Sequence, residues 1–369
     1  MANSWNAKYG LKRVINASGR MSILGVSTPS DSVMNAMKYG GQHYVEMADL
    51  VDKGGEYVAS ILGSEAAVIV NSASSGIALS VAALITKGNR RLSERLHQEE
   101  ITPNDVIILK GHNVQYGAPI ETMVYLGGGR LVEVGYANEG KVEHIEESIT
   151  NNTTAILYVQ SHHAVQKNMI SVEEAWEIAQ RNNIPFIVDA AAEEYLQKYV
   201  SFSDLVIYSG SKAIEGPTSG IVGGKRKYID WVKQQFYGIG RSMKVGKEVS
   251  FGLLQALEEF ETRETNSEQQ KDCLHLLTPL NELDGVQVKI VQDDAGRDIY
   301  RARIQIDSDN ANMTAKEVVT SLQEGEIAIY TRDYGVKQGF FDIDPRPLQG
   351  DDLNIIVSQL RSLLGGKEG

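Results

Sequence analysis

Two side chains in this chain combine a reactive type with a strand-end setting. Lys212 lies in Ser209-Gly-Ser-Lys212-Ala-Ile-Glu-Gly216-Pro-Thr-Ser-Gly220, just after the apolar run Asp204-Leu-Val-Ile-Tyr208, among small residues and ahead of a glycine-rich turn. A lysine in that setting belongs to a cramped loop, not to a solvated surface. Asp189 closes the apolar segment Ile184-Pro-Phe-Ile-Val-Asp189. An amine that can form a Schiff base, with a carboxylate that can pair a pyridinium nitrogen, is the combination that pyridoxal phosphate requires. The amine must be unprotonated to attack an aldehyde, and burial beside a cofactor lowers a lysine pKa. Asp189 also reads as a helix N-cap, because Ala190-Ala-Ala-Glu193-Glu194 follows and favours a helix start. The interval from Asp189 to Lys212 leaves room for one helix and one more strand.

A third stretch, Asn71-Ser72-Ala-Ser74-Ser75-Gly76, is a strand-to-helix turn of small and hydroxyl residues. Free amides and the helix dipole make such a turn an anion site, here for the cofactor phosphate through Ser72, Ser74, Ser75 and Gly76. Ser209 and Ser211 stand ready to donate further hydrogen bonds. His112, in Lys110-Gly-His-Asn-Val-Gln115-Tyr116-Gly117, follows a strand end, with Gln115 and Tyr116 competing for the same place over a cofactor ring. His162 and His163 follow another strand end and face the same site, but with no third ligand at recognisable spacing they do not read as metal ligands. An amino-acid substrate brings a carboxylate, which a guanidinium grips with two parallel bonds. Arg332 ends the strand Ile327-Ala-Ile-Tyr-Thr and suits that task best; Arg20, Arg241 and Lys244 are further cations, each of which also reads as an ordinary surface residue.

The elements that must position these groups are legible as alternation. Strands are expected at 66–70, 106–109, 130–134, 154–159, 186–188 and 205–208, with helices at 76–85, 142–149 and 172–182. Short apolar strands between amphipathic helices mean a mostly parallel sheet covered by helices on both faces, and ligands of such sheets lie beyond the carboxyl ends of the strands. Asp189, Lys212 and the 71–76 turn all fall there. The pattern divides the chain into an N-terminal arm over 1–30, a large cofactor-binding domain over 31–250, and a connector helix with a smaller α+β domain over 251–369.

Composition narrows the partners. The chain has 369 residues, 42% hydrophobic, with a formal charge of -12, so nucleic acid is not the expected partner. The single cysteine, Cys273, allows no internal disulfide and fits a reducing compartment. No signal-peptide core and no membrane-length apolar run is legible. The expectation is a cytoplasmic protein acting on a small molecule.

In this order the pieces resemble the bacterial selenocysteine synthase family of fold-type-I pyridoxal phosphate enzymes. Val14-Ile-Asn-Ala-Ser-Gly…Leu24-Gly is similar to the family's I-N-A-T-G…L-G segment, and Glu65-Ala-Ala-Val-Ile-Val-Asn71 to its E-A-A-hydrophobic-V-N stretch. Ser209-Gly-Ser-Lys212…Gly-Pro…Gly220 matches its S-G-D-K…G-G-P-Q-A-G lysine loop, with serine in place of aspartate before the lysine. Arg332 and Asp342-Ile-Asp344-Pro-Arg346 are similar to its closing R…L-D-P-R stretch. The likeness runs from about residue 11 to 350. The true selenocysteine synthases carry an extra N-terminal tRNA-binding region, whereas here the shared segment starts at Leu11. The shorter members resemble D-glucosaminate-6-phosphate ammonia-lyases. That likeness implies removal of ammonia from a phosphorylated amino sugar acid. Lys212 would move the Cα proton, Asp189 would keep the ring nitrogen protonated, and His162, His163 or His112 would protonate the leaving β-hydroxyl. Arg241 with Lys244 or Lys247, or Arg20, would meet the substrate phosphate. The family also implies a homo-oligomer, at least a dimer. Open alternatives are a transferase acting on seryl-tRNA, another lyase or racemase of small amino acids, and a non-catalytic pyridoxal phosphate-binding module, against which the intact Lys212–Asp189 pair argues.

Overall fold

The computed structural model describes residues 5–98, 101–161, 163–263, 267–293 and 298–365. The chain forms two compact units, one of residues 27–263 and one that joins the N-terminal 26 residues to residues 264–369. The first strand, β1 (Arg13–Ala17), belongs to the smaller unit. The larger unit is built on β2 (Ala66–Val70), β3 (Asp105–Leu109), β4 (Arg130–Val134), β5 (Thr153–Val159), β6 (Phe186–Asp189), β7 (Leu205–Ser209) and β8 (Gly220–Gly224). These strands lie in the order β2-β8-β7-β6-β5-β3-β4. All neighbours are parallel except at β8, which runs antiparallel to both β7 and β2.

The burial follows from composition. Strands β2, β3, β6, β7 and β8 are buried at every position, as expected when helices cover both faces of a parallel sheet. One face packs the helix Ala73–Thr86, which is apolar on all sides and buried from Ser75 onward; the other packs the helix Val172–Arg181 with Phe186, Val188 and Tyr158. The segment after Asp189 forms turns, not the helix its composition favours. Ala190 N donates to Ile207 O and Ser209 N to Ala191 O, so the backbone is already committed to β7. The connector expected from residue 251 as one helix is three pieces: Lys247–Thr262, Ser267–His275 and a 3-10 turn at Thr278–Glu282.

In the smaller unit β9 (Val286–Gln292), β10 (Tyr300–Ile306) and β12 (Phe340–Ile343) form an antiparallel sheet in the order β12-β10-β9. β1 pairs in parallel with β11 (Ile327–Thr331), bringing Ala17 opposite Thr331. The helices Ala315–Glu324 and Asp352–Leu364 supply Val318, Leu322, Ile356 and Leu360 to its core. Among the described residues no helix is long and apolar enough to cross a membrane.

Candidate active site

Sheet register gathers the reactive residues at one edge of the larger unit. Gly220 pairs with both Val70 and Ser209, so the turn after β2 and the lysine loop after β7 leave the sheet side by side. Asp189 ends β6, paired with Val159 of β5 and Ile207 of β7.

The lysine loop is fixed by its own backbone. Gly210 N donates to Ser219 O at 2.9 Å and Gly216 N to Gly210 O at 2.8 Å. A Cβ on Gly210 would come within 2.1 Å of Ser219 Oγ, so only glycine fits beneath the loop. Arg263 holds the far side, donating to Ala213 O and Ile214 O and pairing with Glu215. Lys212 is half-buried. Ser209 and Ser211 are buried, their hydroxyls 3.3 Å apart.

Asp189 is 7% exposed. Burial pushes its pKa up to about 6, against the Lys212 charge and a hydrogen bond from Ala191 N, which lower it. That bond, at 3.1 Å, goes to Oδ1. Among the described residues Oδ2 has no hydrogen-bond donor, so one oxygen of a destabilised carboxylate is open to a cationic ring N–H.

At the 71–76 turn, Ser72 and Ser75 form a reciprocal capping box: Ser72 Oγ accepts from Ser75 N and Ser75 Oγ from Ser72 N, both at 3.1 Å. The amides of Ala73 and Ser74 have no acceptor among the described residues and lie at the positive end of a 14-residue helix. Gly76 lets that helix approach the sheet, since a Cβ there would meet Ile207 at 3.1 Å and Val222 at 3.2 Å. An anion-ready helix end, an open carboxylate oxygen and a half-buried amine together fit the phosphate, ring nitrogen and aldehyde of pyridoxal phosphate.

The other sequence candidates are scattered. His112 is fully buried, edge-on to Tyr158, with Nδ1 3.4 Å from Val159 N. Burial lowers its pKa to about 4, so the ring is neutral at pH 7 and cannot serve as a proton donor there. Gln115 is exposed and its Oε1 accepts from Gly117 N. His163 is exposed, while His162 lies outside the described residues. Arg241 and Lys244 are exposed, and Lys247 is engaged with the carbonyls of Gly40 and Gly41. Arg20 and Arg332 belong to the smaller unit, beyond the ends of the paired strands β1 and β11. Arg332 is half-buried, stacks on Tyr334 at 4.9 Å, and among the described residues forms no ion pair; burial and then the nearby Arg301 push its pKa down. Neither Arg263 nor Arg301 carried any spacing signal in the sequence.

The family model for L-seryl-tRNA selenium transferase (SelA) matches residues 14–316. The chain belongs to that family. Its fold is that of the fold-type-I pyridoxal phosphate enzymes, and pyridoxal phosphate is its cofactor. The chain is 43% identical, over 96% of each chain, to a D-glucosaminate-6-phosphate ammonia lyase of Salmonella typhimurium. It is 37% identical to a 5'-C-glycyluridine monooxygenase-decarboxylase of a Streptomyces species, over 96% of this chain and 90% of that one. A solved structure of D-glucosaminate-6-phosphate ammonia-lyase superposes with a TM-score of 0.92 at 42% identity, covering 98% of both chains.

Proposed function

We propose that this chain is a pyridoxal phosphate-dependent ammonia-lyase that converts D-glucosaminate 6-phosphate to a 2-keto-3-deoxy sugar acid phosphate and ammonia. The observation that carries the reading is near-full-length likeness in sequence and fold to an enzyme of that activity, in a chain whose Lys212, Asp189 and 71–76 turn converge.

When bound, the cofactor supplies the sink for the electron pair left at the substrate's Cα. Lys212 Nζ takes the Cα proton from its fixed place in the loop. Asp189 Oδ2 holds the proton on the ring nitrogen, and its burial makes that pairing strong. We assign the His162–His163 pair to the proton that leaves with the β-hydroxyl as water. The released enamine tautomerises to the imine, whose hydrolysis takes up one water, equal to the one lost, and yields the keto acid and ammonia. Arg332 is our assignment for the substrate carboxylate, and Arg241, Lys244 or Arg20 for its phosphate. Exposed Met34, Tyr39, Tyr44, Met47 and Tyr57, in and between two consecutive helices, support an assembly of at least two copies, and the lone cysteine supports a cytoplasmic setting.

The test combines the visible spectrum, before and after borohydride, with ammonia and keto-acid assays on D-glucosaminate 6-phosphate. A yellow band that borohydride bleaches, leaving the cofactor on the Lys212 peptide, together with ammonia release, is expected. A yellow protein inert toward this substrate would remove the substrate assignment alone. A protein that stays colourless with added pyridoxal phosphate would remove the whole reading.

A further inference from the structure

Tyr116 is a polar side chain near the site that the proton transfers leave unused. Its ring packs against the core layer that includes Ile77, Val159 and Ile207. A tight turn presents it, with Tyr116 N donating to Ala118 O at 3.2 Å and Gln115 bridging to Pro119. The Oη atom is buried and makes no hydrogen bond of normal geometry among the described residues. Burying a hydroxyl without a partner costs about 1–3 kcal/mol, so such an atom asks for a ligand.

Its polar neighbours are the Ser74 hydroxyl and the Asp189 carboxylate. Ser74 belongs to the helix turn whose amides are open to an anion. Burial raises the phenol pKa, Ser74 lowers it and Asp189 raises it again, for a net rise, so the hydroxyl is a donor at neutral pH. The two other residues of this segment are engaged elsewhere: His112 faces the core and Gln115 caps its own turn.

We propose that Tyr116 is the residue after β3 that meets the cofactor, and that its hydroxyl donates to the cofactor phosphate beside the amides of Ala73 and Ser74. This rests on the cofactor assignment. The test compares binding of pyridoxal phosphate and of pyridoxal to apoenzyme, wild type and Tyr116→Phe, by fluorescence titration. Loss of a charge-assisted hydrogen bond predicts a Kd for pyridoxal phosphate about tenfold higher, or more, in the variant. The Kd for pyridoxal, which lacks the phosphate, should be the same in both proteins. An unchanged Kd for pyridoxal phosphate, or an equal loss for both ligands, overturns the assignment. Wild type that binds neither ligand would instead overturn the cofactor reading, and this proposal with it.

Discussion

Asp189 and Asp344 are both buried carboxylates near strand ends, and the protein treats them in opposite ways. Asp344, in the smaller unit, is fully buried. Burial pushes its pKa up, but bidentate bonds from Arg346 (2.9 and 2.7 Å) and the charges of Arg346 and Arg301 outweigh that and hold it below the ordinary value. Arg301 Nε completes the shell at 3.1 Å and reaches on to Asp293 at 2.8 Å. Asp189 lacks any such pairing and sits at about 6. A satisfied buried charge organises structure. An unsatisfied one is a place made for a cation that arrives later, which for Asp189 is, in our proposal, the pyridinium of the cofactor.

The sharpest way to break this contrast is to remove each carboxylate in turn. Asp344→Ala leaves Arg301 and Arg346 facing an empty partner and should destabilise the protein by roughly 3–5 kcal/mol in urea unfolding. A loss below about 1 kcal/mol would mean that the pairing is not structural. Asp189→Asn should lower turnover about 10²–10³-fold, as expected when one preorganised charge is lost from a reacting site; unchanged turnover would strip Asp189 of its role.

The same Asp189→Asn change should stabilise the apoprotein at pH 7. In the folded state Asp189 keeps its proton up to about pH 6, whereas unfolded it releases it near 3.8. Stability is therefore lost as pH rises from about 4 to 6, by up to about 3 kcal/mol. The variant should be more stable than wild type at pH 7 and equal to it near pH 4, and a gain that persists at pH 4 would point to another cause. His112 works with the opposite sign. Its folded pKa of about 4, below the ordinary 6.5, contributes stability that is present above 6.5 and lost as pH falls toward 4. Placed on the Asp189→Asn background, where the opposing titration is gone, His112→Gln should flatten a slope worth up to roughly 3 kcal/mol; a slope that survives would assign it to other groups. The smallest effect belongs to Arg332→Gln. It should raise KM about tenfold for carboxylate-bearing substrates, with a stability loss of only about 0.5–1 kcal/mol from the lost Tyr334 stack. Equal KM values would remove Arg332 from carboxylate binding.

Much of the larger unit was legible because a parallel sheet writes itself locally, as apolar runs separated by amphipathic helices. Lys212 and Asp189 were legible for the same reason: each follows such a run. β8 was not. Gly220-Ile-Val-Gly-Gly224 reads as the tail of a glycine-rich turn, yet it is a strand lying between β7 and β2. Its glycines answer to distant neighbours. A Cβ on Gly220 would stand 2.4 Å from the carbonyl carbon of Ser72, and one on Gly224 2.1 Å from Asp204 O. The helix start expected after Asp189 failed for a like reason, since β7 takes the backbone that a helix would need. His112 looked like a ring-facing residue by its place after β3; only the packing of Tyr158 and Val159 around it shows a core histidine.

The sequence by itself determined the layered parallel architecture and the placement of Lys212, Asp189 and the 71–76 turn at strand ends, because each depends on residue type and near neighbours. Tertiary structure alone decided which buried carboxylate is satisfied and which is left open, that the Tyr116 hydroxyl is buried, and which histidine is neutral. Those properties come from desolvation and from partners far away in the chain, such as Arg301 for Asp344.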